Sequence, residues 1–260
     1  MELPASAMKY QAHRGVSAEF PENTMPAFRA ALEQGYDYIE TDPHFTADRR
    51  CVLIHDSALR RTCRTEDGKE IPDGVVIENI SYQEALGYDA GAAVSPDFKG
   101  TRIPLLSELL EITRNTDVTV KIDNRFQSFS ESELSALFDL VETAGAKVAF
   151  TCSDLKFIRL VHDRLPQCEL HYDGYVDEET VQAAVKAAGF SPLYIWLGLD
   201  TPKIAWAKVP KATPALCSMV KRYARLGIWI LSNADELETA RQLGADLIET
   251  DGNLKPKKKT

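Results

Sequence analysis

The sequence predicts an irregular (β/α)8 TIM barrel of the α/β class, because of two observations. Short runs rich in Val, Ile and Tyr alternate with segments of helical period along nearly the whole chain, which is typical of βα units around a parallel sheet. No linker interrupts this alternation, and 260 residues with 44% hydrophobic side chains can bury one large core. We therefore expect a single domain over residues 1–260, and a barrel rather than a doubly wound sheet.

Nine runs have the composition of strands, one more than an eight-stranded barrel requires. The second and third runs are separated only by the segment from Pro43 to Cys51, whereas a helical crossover takes about a dozen residues or more. The barrel is therefore expected to be irregular there. The predicted strands are residues 10–14, 38–42, 52–55, 118–123, 148–152, 170–174, 193–199, 228–231 and 247–251.

Helix boundaries are predicted between these runs. Asn23 and Thr24 have the character of an N-cap for a helix that runs to Gln34, and Ser130 with Glu133 makes a capping box. Residues 57–102 are rich in Gly, Asp and Pro, so we expect an insertion there, after the third strand, that forms a lid or binding wall. Five glycines are expected to end helices: Gly35, Gly145, Gly189, Gly227 and Gly244.

Composition excludes several classes of protein. The net charge of −9 argues against a nucleic-acid binder, and the apolar stretches are too short for a membrane span. Residues 1–10 lack the basic start and apolar run of a signal peptide, which predicts a cytoplasmic protein. The glycine-rich motifs of nucleotide sites and the Gly-x-Ser-x-Gly elbow of serine hydrolases are also missing. The oligomeric state is left open.

Carboxylates follow two of the predicted strands, where barrel enzymes carry their active sites. Strand alternation places Glu40 and Asp42 on one face, and Lys121, Asp123 and Arg125 on one face of the fourth run. One such carboxylate alone is commonly a helix cap. Three of them at a barrel mouth repel one another without a counter-charge, and oxygen ligands of this kind suit Mg²⁺ or Ca²⁺.

Two histidines end predicted strands beside these carboxylates. His13 and His55 are candidates for general acid and base, since an imidazole titrates near neutral pH. Arg14 offers a planar donor fork for a phosphate, and Lys121 or Arg125 can add a second cation. A metal site, two histidines and cations together indicate phosphoryl chemistry.

These residues resemble those of the glycerophosphodiester phosphodiesterases, and the resemblance spans nearly the whole chain. It rests on His13-Arg14-Gly15, Pro21-Glu22-Asn23-Thr24, Glu40-Thr41-Asp42 and His55-Asp56, with Ile103-Pro104-Leu105-Leu106 and Thr250-Asp251 further on. It implies a (β/α)8 barrel with a small insertion and a divalent metal. The residues that it implies are His13 and His55 in catalysis, Glu40, Asp42 and Asp123 on the metal, Arg14 on the phosphate, and Asn23 near the site.

The chain departs from the family pattern at two places. The family's Glu-x-Lys on the fourth strand is Lys121-Ile122-Asp123 here, so that Asp123 aligns with the acidic ligand, Arg125 with the cation, and Lys121 is an extra inward charge. The family's Trp-Thr-Val appears as Trp229-Ile230-Leu231, which predicts that Trp229 lines a pocket wall suited to a different leaving group.

The predicted function is metal-dependent hydrolysis of a glycerophosphodiester, a small molecule, to glycerol 3-phosphate and an alcohol. Two histidines act as general acid and base, and the metal is Mg²⁺ or Ca²⁺, with Mn²⁺ as a further option. One alternative is a phosphodiesterase that acts on a sugar phosphodiester or a lysophospholipid. The other is a barrel that binds a phosphorylated ligand without catalysis, in which Lys121 replaces the metal electrostatically.

Overall fold

Eight parallel strands close into a barrel in the computed structural model, which describes residues 7–189, 191–205, 207 and 209–257. The cytoplasmic location is predicted from residues 1–10, and most of these lie outside the described residues. The cytoplasmic location therefore stays a prediction. The strands are β1 (Lys9–Ala12), β2 (Tyr38–Thr41), β3 (Pro43–Phe45), β4 (Cys51–Leu53), β5 (Arg64–Thr65), β6 (Tyr88–Asp89), β7 (Thr119–Ile122), β8 (Lys147–Cys152), β9 (Glu169–Tyr172), β10 (Leu193–Gly198), β11 (Arg225–Leu231) and β12 (Leu247–Thr250).

Helices cover the outside of the barrel and connect its strands, as the alternating pattern predicts. In chain order the helices are α1 (Met25–Gln34), α2 (Tyr82–Ala85), α3 (Leu106–Thr113), α4 (Glu131–Ala144), α5 (Leu155–Arg164), α6 (Glu178–Ala187), α7 (Pro214–Lys221) and α8 (Ala234–Gln242). The short helix α2 is the exception, because it belongs to the insertion. Among the described helices none combines the length and the apolar composition needed to cross a membrane.

The barrel order is β1, β2, β7, β8, β9, β10, β11 and β12, and β12 pairs with β1 to close it. The barrel is therefore confirmed, and eight of the nine predicted runs form it. The run 52–55 is the exception, because its strand β4 pairs antiparallel with β3 outside the barrel. A short connection permits a hairpin but no parallel crossover. The insertion thus follows a hairpin, between the second and third barrel strands.

The insertion has an apolar cluster of its own. Residues 57–102 contribute Leu59, Cys63, Ile71 and Ile77, which are buried together with Val52 of β4. Strands β5 and β6 form a small antiparallel sheet in the same region. The main core lies instead between the barrel strands and their helices. Because the cluster joins the insertion to β4, it fixes the insertion beside the carboxyl end of the barrel.

The predicted helix ends are correct in several places and wrong in one. Ser130 and Glu133 form the expected capping box, and Gly35 ends α1 in the left-handed conformation. Thr24 is the N-cap of α1, although its hydroxyl bonds to Pro21 and not to the helix. Gly227 is no helix stop, because it lies within β11. A Cβ atom there would stand 2.5 Å from the Trp196 ring, so packing inside the barrel requires glycine.

Candidate active site

Three carboxylates meet at the carboxyl end of β2 and β7. Glu40 is on β2, Asp42 follows it, and Asp123 follows β7, which pairs with β2. One oxygen of each lies within 4.8 Å of the others, and Glu40 and Asp42 are each 3% exposed. This grouping confirms the face that strand alternation predicts. The three residues form a cluster that could hold a metal ion.

The electrostatics of this carboxylate cluster favour a cation. Burial, and then the charge of Asp42, raise the pKa of Glu40 well above its ordinary value. The same two causes raise the pKa of Asp123. The charge of Asp42 therefore opposes the ionisation of both Glu40 and Asp123. A set of three convergent oxygen donors with excess negative charge fits a hard divalent ion.

Asn23 supports this cluster from behind and does not line the cavity. Its Nδ2 donates to Asp42 Oδ2 at 2.7 Å, and its Oδ1 accepts from Thr41 Oγ1 at 2.7 Å. The backbone N–H of Asp42 also donates to this Oδ1, at 3.2 Å. Asn23, which the resemblance implies to be near the site, therefore contacts the residues that form the cluster and positions Asp42. Its left-handed backbone, with φ of 54°, directs the side chain toward β2.

Each candidate catalytic histidine is paired with a carboxylate. His13 Nδ1 lies 2.8 Å from Asp251 Oδ1, and His55 Nδ1 lies 2.5 Å from Asp56 Oδ1. When Nδ1 donates to a carboxylate, Nε2 is the nitrogen that can exchange a proton with substrate. Burial lowers the pKa of His13, but Glu249, the bond to Asp251 and Glu40 outweigh it and raise that pKa to about 9.

The insertion helps to hold His55. His44 on β3 lies with Nε2 3.3 Å from the His55 carbonyl oxygen, and its Nδ1 lies 2.6 Å from Glu78 Oε1. Glu78 belongs to a 3-10 helix of the insertion, Ile77–Asn79. His44 therefore connects His55 to the insertion. Arg61 of the insertion also bonds to Asp56, the partner of His55.

The cations do not all reach the cavity. Arg14 lines it, with Nε 3.5 Å from Asp42 Oδ2 and Nη1 3.1 Å from Glu22 Oε1. Lys121 also lines it, and its Nζ lies 3.6 Å from Glu249 Oε2. Arg125 does not line it, contrary to the prediction, because β7 ends at Ile122 and a 3-10 helix (Asn124–Ser128) breaks the alternation.

A polar chain inside the barrel supports Lys121. Its ammonium nitrogen lies 4.2 Å above the Trp196 ring, a cation–π contact. The Trp196 indole N–H donates to His171 Nδ1 at 2.8 Å, and His171 Nε2 lies 2.9 Å from Glu169 Oε1. Because Nδ1 accepts, Nε2 must carry the His171 proton. His171 is therefore a buried support beneath the cavity.

The second half of the chain supplies more of the site than the sequence indicated. Alternation along 247–251 could have placed Glu249 and Asp251 on one face, and Asp173 ends the run 170–174. Trp229 lines the cavity, as predicted. Among the described residues, this cavity of about 320 Å³ is lined by His13, Arg14, Glu40, Asp42, His55, Lys121, Asp123, Asn124, Thr151, Asp173, Trp196, Ile204, Trp229, Ile230, Glu249 and Asp251.

Histidines, carboxylates and cations converge here at the carboxyl end of a closed barrel. Such a set of side chains is suited to the cleavage of phosphodiesters by a barrel enzyme. The model of the Glycerophosphoryl diester phosphodiesterase family matches residues 13–223. The chain belongs to this family and is a phosphoric diester hydrolase, as the sequence resemblance implies.

Individual relatives agree with this assignment. The chain is 26% identical over 246 residues to a glycerophosphodiester phosphodiesterase from Caldanaerobacter subterraneus, and the alignment covers 92% of each chain. It is 36% identical over 128 residues to human lysophospholipase D GDPD1, and this alignment covers 48% of this chain and 40% of the human protein.

Known structures share the fold at low sequence identity. A glycerophosphoryl diester phosphodiesterase from Parabacteroides distasonis has a TM-score of 0.73 at 21% identity, covering 96% of this chain and 84% of that one. A phosphodiesterase from Oleispira antarctica, in complex with the product sn-glycerol-3-phosphate, has a TM-score of 0.73 at 17% identity, covering 94% and 93%. At these identities the likeness establishes the barrel and no more.

Proposed function

We propose that this protein hydrolyses a glycerophosphodiester to glycerol 3-phosphate and an alcohol with the help of a divalent ion. Mg²⁺ or Ca²⁺, with Mn²⁺ as a further option, would be held by Glu40, Asp42 and Asp123. The observation that carries the proposal is the pairing of His13 and His55 with separate carboxylates in the cavity that contains this cluster. Two proton-transfer groups beside a cation site are what cleavage of a phosphodiester needs.

The side chains divide the chemistry between them. A bound divalent ion would neutralise the phosphate oxygens and polarise phosphorus. Arg14 contributes a guanidinium group at the same end of the cavity. This group is always charged and stabilises the negative charge that develops on the phosphoryl oxygens. One of the two histidines takes the proton of the attacking hydroxyl at Nε2, and the other gives a proton to the leaving oxygen.

Lys121 has a different role in this proposal. Its ammonium group is paired with Glu249 and stacked on Trp196, and both contacts are buried. It therefore neutralises Glu249 below the cluster rather than replacing an ion among Glu40, Asp42 and Asp123. This pairing weakens the alternative of a non-catalytic binding barrel, because that alternative requires Lys121 to stand in for the metal.

The decisive test combines metal removal with histidine variants. After EDTA treatment, we expect glycerophosphocholine to be cleaved to glycerol 3-phosphate only when Mg²⁺, Ca²⁺ or Mn²⁺ is restored. His13→Ala and His55→Ala are expected to lower turnover by about 10²- to 10⁴-fold. His162→Ala, on the outer helix α5, is the matched control, and circular dichroism checks folding. Wild-type turnover in either folded site variant would overturn the histidine roles.

A second substrate separates the two histidines. Bis(p-nitrophenyl) phosphate has a leaving group that departs without protonation, so the variant that lacks the general acid should retain most activity on it. The variant that lacks the general base should lose activity on both diesters. Equal losses of both variants on both substrates would contradict a division into one acid and one base.

A lysophospholipid is the second candidate substrate. It is favoured by the 36% identity over 128 residues to human lysophospholipase D GDPD1. Release of choline from lysophosphatidylcholine, compared with glycerophosphocholine at equal concentration, distinguishes the two. A preference for the lysolipid would move the assignment to lysophospholipase D chemistry, and a panel of sugar phosphodiesters tests the remaining enzyme alternative. If no diester is cleaved with any of these metals, the non-catalytic binding barrel is the alternative that remains.

A further inference from the structure

One wall of the cavity carries two buried polar atoms that have no partner among the described residues. They are Thr151 Oγ1 on β8 and Asp173 Oδ1, just beyond β9. Both residues line the cavity, and Thr151 is only 2% exposed. Buried polar atoms are normally hydrogen-bonded, and an exception in a binding cavity indicates a ligand that completes the bonding.

The two atoms are held in neighbouring positions by the sheet. Thr151 is in register with His171 across β8 and β9, and Asp173 lies two residues beyond His171, so its side chain has the same direction. The Asp173 N–H donates to the Cys152 carbonyl oxygen at 3.1 Å, which extends the pairing by one step. Thr151 and Asp173 therefore face the cavity from adjacent strands, one layer apart.

The orientation of the Asp173 carboxylate is fixed. Asn124 Nδ2 donates to Asp173 Oδ2 at 2.7 Å, which leaves Oδ1 for another group. Asn124 follows directly on Asp123, a member of the carboxylate cluster, and Asp123 and Asp173 interact electrostatically. Asp173 therefore lies in the same cavity as the cluster and close enough to interact with it.

We propose that Thr151 and Asp173 form a subsite for a free hydroxyl group of the glycerol moiety. The pair offers a carboxylate, which only accepts, and a hydroxyl, which both donates and accepts. An alcohol satisfies the hydrogen bonding of both side chains, because it can donate to the Asp173 carboxylate and accept from the Thr151 hydroxyl. An ammonium group can only donate, so it leaves the Thr151 O–H without an acceptor. The inference rests on the proposed function and assigns these two residues to recognition of the glycerol part of the substrate.

Binding of product analogues tests the subsite without turnover. Calorimetry on the Mg²⁺-containing protein compares glycerol 3-phosphate with ethyl phosphate, which has the same charged group but no hydroxyl. We expect the wild type to bind glycerol 3-phosphate more tightly by about tenfold or more. Thr151→Val should reduce this preference by about threefold, and Asp173→Ala should remove most of it, leaving about twofold or less. Ethyl phosphate should bind the wild type and Thr151→Val alike, whereas Asp173→Ala, which loses a negative charge near Asp123, is judged by the ratio of its two affinities. Thr143→Val on the exposed face of α4 is the matched control.

The outcomes separate the subsite from the reaction. A wild type without preference for glycerol 3-phosphate, or a preference unchanged in both variants, would overturn the subsite even if the enzyme is active. An inactive wild type whose preference falls in Thr151→Val would overturn the proposed function and retain the subsite. Phosphoethanolamine is the third probe. If the variants lose more affinity for phosphoethanolamine than for glycerol 3-phosphate, the subsite binds an amine and not a hydroxyl.

Discussion

Replacing His13 by asparagine should change how the stability of the protein depends on pH. In the folded protein the pKa of His13 is about 9, compared with an ordinary value of 6.5. The imidazolium form is favoured by the folded structure because Glu249, Asp251 and Glu40 surround it, and these charges outweigh the cost of burial. Asparagine can still donate to Asp251 but cannot titrate, so the variant isolates the protonation of His13.

The size and sign of the effect follow from the two pKa values. Each pH unit of difference is worth about 1.4 kcal/mol, so a rise from 6.5 to about 9 corresponds to about 3 kcal/mol. A pKa raised by folding stabilises the protein fully below the unfolded value, and the benefit is lost as the pH rises through the folded value. The side chain of His13 is 17% exposed, so solvent screens this interaction only weakly.

Urea unfolding in EDTA, at several values between about pH 6 and about pH 10, measures this benefit. The free energy of unfolding of the wild type should fall by about 3 kcal/mol more than that of His13→Asn over this range. His162→Asn, on α5, should retain the wild-type profile. Parallel profiles for the wild type and His13→Asn would refute the reasoning. Added Mg²⁺ should flatten the wild-type profile, since a divalent ion beside His13 disfavours the imidazolium.

Three further predictions concern the residues that support the site. Lys121→Met should lower the free energy of unfolding by about 3 kcal/mol because Glu249 loses its cation, and adding Glu249→Gln, which removes the unpaired charge and can still accept from Gln11, should recover part of it; an unchanged urea midpoint in the single variant would contradict the pair. Asn23→Ala should weaken Mg²⁺ binding by about 10- to 100-fold in calorimetry, because Asp42 loses the side chain that positions it. An unchanged Mg²⁺ affinity would contradict this role. Gly227→Ala should destabilise by about 1–3 kcal/mol, since its methyl group would meet Trp196; a wild-type thermal midpoint would contradict this packing.

Local patterns are sufficient to predict the first half of the site. Glu40 and Asp42 converge because side chains alternate along a strand, which requires no knowledge of the rest of the chain. His13 and Arg14 are adjacent in sequence at the end of β1, so their joint presence is also local. The same reasoning fails at Arg125, because it assumes that β7 continues past Ile122, where the chain turns into a 3-10 helix.

Long-range packing decides the rest of the site. Asp251 meets His13 across 238 residues because β12 closes the barrel against β1, in the register that pairs Ala12 with Thr250. A composition pattern shows that β12 is a strand but does not show which strand lies beside it. Glu249 beside Lys121 depends on the same closure, and Gly227 depends on the Trp196 ring, which comes from another strand.

The sequence by itself therefore determines the fold class, the alternation of strands and helices, and the residues whose types and spacing are local, from His13 to Asp123. Only the tertiary structure assigns the run 52–55 to a hairpin, brings Asp251 to His13, and places Thr151 and Asp173 on one cavity wall. The physical reason is that alternation and capping act between near neighbours in the chain. Strand order and register are instead set by the closure of the whole barrel.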